Sequence, residues 1–454
     1  MRIHGRSQPS RRAFLTQLAA ITAVPCVLSA CNSQTDDTDS KTEGSTDIAE
    51  PLVKMKGSRP DLPNTPPMMR VRIFRARKEN TKITVGPEQQ HLRVFPVYIG
   101  GGEAIIKGPL SISIAGESWS IIDSDNFRVP VNDLKSLDIA STSSSPELII
   151  NKRTYPGSLR LIARTDINPR AFDIINIVPI EAYLPGVVAG ELFSHWHLQT
   201  KAAQAIAARS FACSEHAYFT GRRDYDVTDT AQSQMYIGEV KHDETHQAVA
   251  MTHGMVLEFE NKLVPGYYSS CCGGAAARAI DVIGKHKANN IAPLHGRVGE
   301  DVCVNVKIAN WTVKRQLQTL TRRFIAYGLK HKRLELSGLA EITSISIAKT
   351  NQHQRPTHYK ITDVVEHSAE ISAEAFMRAA NYSGQGLNAP AEPLISSFVD
   401  ARIADSQVIF QGKGLGHGAG LCQYGAEQLA KDGKDYREIL SWYYPGAKIV
   451  QPYR

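Results

Sequence analysis

The sequence predicts an α+β fold, with a β-rich N-terminal region followed by a mixed core of helices and strands. Three observations lead there. Short β-branched runs recur from Arg70 to about residue 178, in VRIFRA, KITV, LRVFPVYI, LSISIAG and ELIINKRTYPGSLRLIAR, separated by Gly, Pro and Asn. Beyond Pro179 the pattern turns helical, first in IEAYLPGVVAGEL and then in the alanine-rich LQTKAAQAIAARSFACSEH. Finally, 454 residues with 42% hydrophobic content suffice to bury a sizeable core, in one large domain or two to three ordinary ones. No internal repeat interrupts this order.

Residues 1–30 read as an export signal. SRRAFLTQLAAITAVPCVLSAC holds paired arginines and then a short apolar run, interrupted by Pro25 and too short for a good spanning helix. Ser10-Arg11-Arg12-Ala13-Phe14-Leu15 resembles a twin-arginine signal. Leu28-Ser29-Ala30-Cys31 resembles a bacterial lipobox, in which Cys31 is acylated and becomes the first residue; the alternative is an ordinary helix with an incidental Cys31. Asn32 does not resemble the aspartate that retains lipoproteins at an inner membrane, and the choice of membrane stays open. Residues 31–67 follow as a disordered tether, first polar and acidic, then proline-rich, with few large apolar side chains. Loss of Arg2, Arg6, Arg11 and Arg12 with the signal leaves 48 of the 52 basic side chains against 45 acids, so the formal charge of +7 falls to +3. A nucleic-acid partner then loses most of its basis. The expected setting is extracytoplasmic and anchored to a membrane through lipid.

The β-rich part is expected over residues 68–178 and the mixed core over 179–454. Pro179 suits the first turn of a helix, although Pro185 and Gly186 weaken or kink it. On that helix Leu184, Val187, Val188 and Glu191 share one face, so a lone carboxylate ends an apolar stripe. A carboxyl group among apolar neighbours is partly desolvated, which raises its pKa toward the range of a general acid. The other reading of the same spacing is an ordinary ion pair between Glu191 and Lys201 or Arg209.

The segment YLPGVVAGELFSHWHLQTKAAQAIAARSFA resembles the defining stretch of the SpoIID/LytB domain family, the sporulation lytic transglycosylases and amidase enhancers of cell-wall turnover. The likeness continues through DYDVTDTAQSQMYIG, AMTHGMVLEFENKLVPGYYSSCCGG and GKGLGHGAGLCQYGAEQLAKDGKDYREILSWYYPGAKI, with a weaker middle, and covers roughly residues 68 to 454. The resemblance implies a SpoIID-type core in which Glu191 is the catalytic acid. It implies that Tyr268, Ser270, His417 and Gln423 line the cleft, supported by Gln204 and Arg209 on the second helix. Most glycosidases need two carboxylates. A lytic transglycosylase can use one, because the acid that protonates the leaving oxygen then serves as base toward the sugar's own 6-hydroxyl and yields a 1,6-anhydromuramyl end. Peptidoglycan glycan strands, stripped of stem peptides, are the implied substrate. The alternative the family offers is a non-catalytic module that binds the wall and stimulates an N-acetylmuramoyl-L-alanine amidase.

Other motifs point elsewhere only weakly. Gly414, Gly416 and Ala419 satisfy G-x-G-x-x-A after QVIFQG, but the 34 residues after Gly420 are too few for the βαβ unit and acid of a dinucleotide site. The glycines are instead expected to let the backbone approach a glycan and to present His417, whose other role would be a buried structural hydrogen bond. Where some sporulation members carry metal ligands, this chain has Thr228, Gln232 and Ser233, poor ligands for zinc. His195 and His197 lack the spacing of a metal motif. No metal and no cofactor are expected. Cys213, Cys271, Cys272, Cys303 and Cys422 remain outside the signal and acylation site, an odd set. The resemblance implies a Cys272–Cys303 disulfide, since some relatives carry a partner cysteine ahead of the position of Trp311, and such a bond suits an exported chain.

Overall fold

The computed structural model describes residues 58–75, 82–87, 90–97, 102–116, 118–129, 131, 134–143 and 147–454. The signal, Cys31 and most of the expected tether lie outside the described residues. Both helices and many strands are present, in agreement with the α+β class.

The N-terminal strands build two sheets. Seven strands run in the order Val227–Thr228, Met68–Arg75 (β1), Phe172–Pro179 (β2), Ser158–Ala163, Ser136–Ser141, His91–Phe95, Ala104–Lys107. Six more run from Arg153–Pro156 through Glu147–Ile150, Ile83–Val85, Leu110–Ala115 and Ser118–Ile122 to Arg128–Val129. Alternation explains the arrangement: in Leu110–Ala115 the buried residues are Leu110, Ile112 and Ile114, which gives the sheet one apolar face. β2 is buried almost throughout, as expected of a strand covered on both faces. Phe172, Ile174 and Val178 join the main core, while Ile175 packs with Ile162 and Tyr225.

β2 runs directly into the first described helix, Ile180–Glu191 (α1). Pro179 is its N-cap residue rather than part of its first turn, and the Ile180 amide donates to the Pro67 carbonyl. α1 continues through Pro185 and Gly186, because both are buried and tertiary packing outweighs their poor helix propensity. A Cβ at Gly186 would lie 2.1 Å from the Gly238 carbonyl oxygen, and one at Gly190 would lie 2.6 Å from that of Met235. These glycines therefore let the 235–238 segment lie directly on the helix.

The second helix, Leu198–Phe219 (α2), is longer than its alanine run suggested and is buried from Thr200 through Ser210 without a break. A helix buried all round belongs in the interior. Residues 310–413 form their own satellite core. Two three-stranded sheets and the helices Leu317–His331 and Ala373–Ala380 enclose Leu320, Phe324, Tyr359, Phe376 and Phe410.

Residues 58–67 are not free of the fold, although the sequence placed them in the tether. Leu62 packs against the main core, Arg59 pairs with Glu260 at 2.9 Å, and the Leu263 amide donates to the Pro60 carbonyl. Few apolar residues are needed when an extended segment only lies along a preformed surface.

Candidate active site

Glu191 is the last residue of α1, and the chain turns away at Leu192 in an extended conformation. Its carboxylate has three donors. Oε1 accepts from the Met235 amide at 2.8 Å and from the Tyr268 hydroxyl at 3.1 Å, and Oε2 receives a longer contact of 3.4 Å from Gln423 Nε2. Neither predicted ion pair forms. Lys201 reaches Glu244 and the Ser194 carbonyl, and Arg209 makes a two-pronged pair with Glu181 at 2.9 and 2.7 Å.

Glu191 keeps some solvent contact at its edge, yet protein atoms crowd its carboxyl group. Burial raises its pKa, against the lowering effect of the Met235 amide, Gln423 and Tyr268. The net displacement is upward, which favours a carboxylic acid that can give up a proton at the pH of use.

A polar chain leads away from the acid. Gln234 Nε2 donates to Tyr268 Oη at 3.0 Å and to the Ala208 carbonyl, while the fully buried Tyr183 hydroxyl donates to Gln234 Oε1 at 3.1 Å. Tyr268 stands on the two-residue strand Tyr268–Ser269 (β3), which pairs in parallel with Leu421–Cys422 (β4). That pairing places Ser270 beside Gln423, the first residue of the helix Gln423–Lys431 (α3), with Ser270 Oγ 3.4 Å from Gln423 Oε1. Gln423 Nε2 also reaches Gln204 Oε1 at 3.4 Å across α2. The fully buried Gln204 Nε2 has no hydrogen-bond partner among the described residues.

The structure thus brings Glu191, Gln204, Tyr268, Ser270 and Gln423 together. Arg209 is elsewhere: fully buried, it holds Glu181 and the Met255 carbonyl, and Glu181 also receives the Tyr453 hydroxyl. Its role is to join α1, α2 and the C-terminal segment. His417 sits on the loop before β4, where Nδ1 accepts from the Ala419 amide and its carbonyl accepts from Arg355. Neither of these two bonds joins it to Glu191.

The glycine run serves that loop. Gly420 has φ of +72°, and a Cβ there would lie 1.8 Å from the Tyr267 carbonyl oxygen. Glycine is required because one backbone passes directly over another.

Sequence reasoning missed Gln234, the Met235 amide and the aromatic rim. Phe193, Trp196 and Tyr424 stand with ring centroids 5.0 to 6.5 Å apart, and with His195, Glu427 and Lys431 they border a cavity of about 310 Å³. Phe193 follows Glu191 by two residues and Tyr424 follows Gln423 by one, so FSHWH and QY were the available signals. Neither that cavity nor a larger one of about 620 Å³, bordered by Gly274, Glu300, Gln352, His353 and Phe398, is bordered by the groups that contact Glu191, although Phe193 and Tyr424 of the smaller one are close to Glu191 and Gln423 in the chain. Among the described residues no helix is long and apolar enough to cross a membrane.

The site thus holds one desolvated carboxyl group fixed by three donors, and Phe193 and Tyr424, close to Glu191 and Gln423 in the chain, belong to the aromatic cluster. The family model described as Stage II sporulation protein matches residues 169–259, which include Glu191, Gln234 and Met235. An uncharacterized protein of Brachyspira hyodysenteriae is 29% identical over 66% of this chain and 73% of its own length. The amidase enhancer of Bacillus subtilis is 28% identical over 59% of this chain, and this chain spans only 40% of that protein. Stage II sporulation protein D of Bacillus subtilis is 26% identical over 60% of this chain and 75% of its own length. Over residues 169–259 the chain is thus similar to the SpoIID family, and over about 60% of its length to an amidase enhancer and a Stage II sporulation protein D.

Proposed function

We propose that this protein acts on the bacterial cell wall from outside the cytoplasm, as a lytic transglycosylase of peptidoglycan glycan strands. One observation carries the reading: Glu191 is a single desolvated carboxyl group held by three hydrogen-bond donors, Met235, Tyr268 and Gln423, with no second carboxylate among them. A hydrolase of the usual kind needs a second acid as nucleophile or base. Here the protonated Glu191 gives its proton to the glycosidic oxygen as the bond to the anomeric carbon breaks. The resulting carboxylate then takes the proton of the sugar's 6-hydroxyl as that oxygen attacks the anomeric carbon, which closes the 1,6-anhydro ring and restores the acid. No water is consumed.

The neighbours fit those steps. Donation by Tyr268 and the Met235 amide to Oε1 fixes the carboxyl plane and leaves Oε2, touched only by the long Gln423 contact, to face the substrate. The Phe193, Trp196 and Tyr424 rings offer apolar faces for sugar rings beside it. Acylation at Cys31 would hold the molecule near its polymeric substrate.

The amidase-enhancer relative motivates the competing outcome. Purified protein is incubated with intact peptidoglycan and with peptidoglycan from which an amidase has removed the stem peptides. The transglycosylase reading expects 1,6-anhydro ends from the stripped strands. It fails if neither substrate yields them while the protein accelerates an added amidase.

A further inference from the structure

Behind the strand pair that carries Tyr268 and leads to Gln423, three cysteines and an aspartate converge. Cys272, Cys303, Cys422 and Asp301 place three Sγ atoms and a carboxylate oxygen within 4.8 Å of one another. Cys272 Sγ and Cys303 Sγ are 3.5 Å apart, and all three cysteines are buried. They arrive from separate stretches: Cys272 just past β3, Cys303 in the short helical turn Val302–Asn305, and Cys422 in β4.

We propose that Cys272, Cys303, Cys422 and Asp301 form a zinc site that fastens the Val302–Asn305 turn to the β3–β4 pair. Zinc takes four ligands in a tetrahedron with Zn–S bonds of about 2.3 Å, so neighbouring sulfurs stand about 3.8 Å apart. The Cys272–Cys303 separation of 3.5 Å is within a few tenths of an ångström of that, and the 4.8 Å span of the whole set closes with ligand shifts of about 1 Å at most. Thiolates are the ligands that select zinc over hard cations, and a Cys-rich set with no open position is the structural kind.

The surroundings are already arranged for ligands. Asp301 Oδ1 accepts from the Cys303 amide at 3.1 Å and from the Tyr443 hydroxyl at 3.2 Å, which orients the carboxylate. The Cys272 amide donates to Cys422 Sγ at 3.3 Å. Three thiolates and a carboxylate carry more negative charge than a divalent ion removes, and the fully buried Arg355, donating to the Cys272 carbonyl at 2.7 Å, offsets part of the excess.

The site reverses the expectation of no metal, which considered only the 228–233 stretch and the two histidines. Binding exchanges thiol protons for one divalent ion and involves no redox step. A Cys272–Cys303 disulfide would consume two of the same sulfurs, so the two states exclude each other.

The test uses the full chain, purified without chelator or reductant, and measures zinc per chain together with a peptide map of its cysteines. About one zinc per chain with Cys272 and Cys303 recovered as thiols is expected, and cobalt(II) in its place should give thiolate charge-transfer absorption. Cys422→Ser should weaken zinc binding at least tenfold, while Cys213→Ser, a buried cysteine outside the cluster, should retain it. A wild-type chain that takes up no zinc after mild reduction and equilibration with zinc chloride overturns the proposal, as does a Cys272–Cys303 disulfide in metal-free protein.

Discussion

At the scale of single residues, the behaviour of Glu191 follows from what surrounds it. Tyr268→Phe removes a donor that stabilises the ionised form, so the pKa of Glu191 should rise further and the high-pH limb of the rate profile should move to higher pH. The rate itself should fall no more than about tenfold, the worth of one hydrogen bond of roughly 1 kcal/mol. An unmoved limb would mean that Glu191 is not the titrating acid. Stability offers a second check. A carboxyl group whose pKa is raised on folding costs stability above that folded pKa and ceases to do so as pH falls through it. Glu191→Gln should therefore unfold at a higher temperature than wild type near pH 8, and the gap should close on acidification. A gap that is constant with pH would contradict the raised pKa. The acid itself was legible in the sequence because a carboxylate at the end of an apolar stripe is unusual. Its freedom from Lys201 and Arg209 was not, because helical spacing allowed both pairs. Only the third dimension assigns those cations to Glu244 and Glu181.

At the scale of elements, strand signals in the N-terminal region were readable because alternation is local. The site's frame was less so, since it depends on close approaches between distant segments. Gly186 looked like a weak point in a helix; in the structure it and Gly190 admit the backbone of residues 235–238, which delivers the Met235 amide to Glu191. The 310–413 region gave only a faint pattern, and its sheets emerge from pairings far apart in the chain, such as Asn310–Gln316 with Gln407–Lys413. Arg209 belongs to this scale too. Its fully buried guanidinium faces Glu181, whose side chain is 19% exposed. Arg209→Met strands the acid and should destabilise the fold by about 3 kcal/mol. Pairing it with Glu181→Leu should recover much of that loss in denaturant unfolding, and a double variant as weak as the single would show that the ion pair is not the cause.

At the scale of the whole molecule, a β sandwich, an interior helix and a satellite core hold a small polar cluster in place. The sandwich shares its main core with α1 and α2, so the acid rests on a large apolar body rather than on a loop. Attachment is a separate matter. Cys31→Ser should move the protein from the membrane fraction to the soluble extracytoplasmic fraction, because lipid chains and not the polar segment after them would provide the anchor. A variant that still sediments with membranes would remove the lipoprotein reading. The central claim is that Glu191 alone performs the acid and base steps of glycan cleavage. The most direct measurement is mass spectrometry of the products from amidase-treated peptidoglycan incubated with wild type and with Glu191→Gln, alongside a glycan-binding assay. The account predicts 1,6-anhydro ends from wild type, a loss of about 10² to 10⁴ in their rate of formation by the variant, and equal binding by both. Equal rates of anhydro-end formation by the two proteins, or none from either, would contradict it.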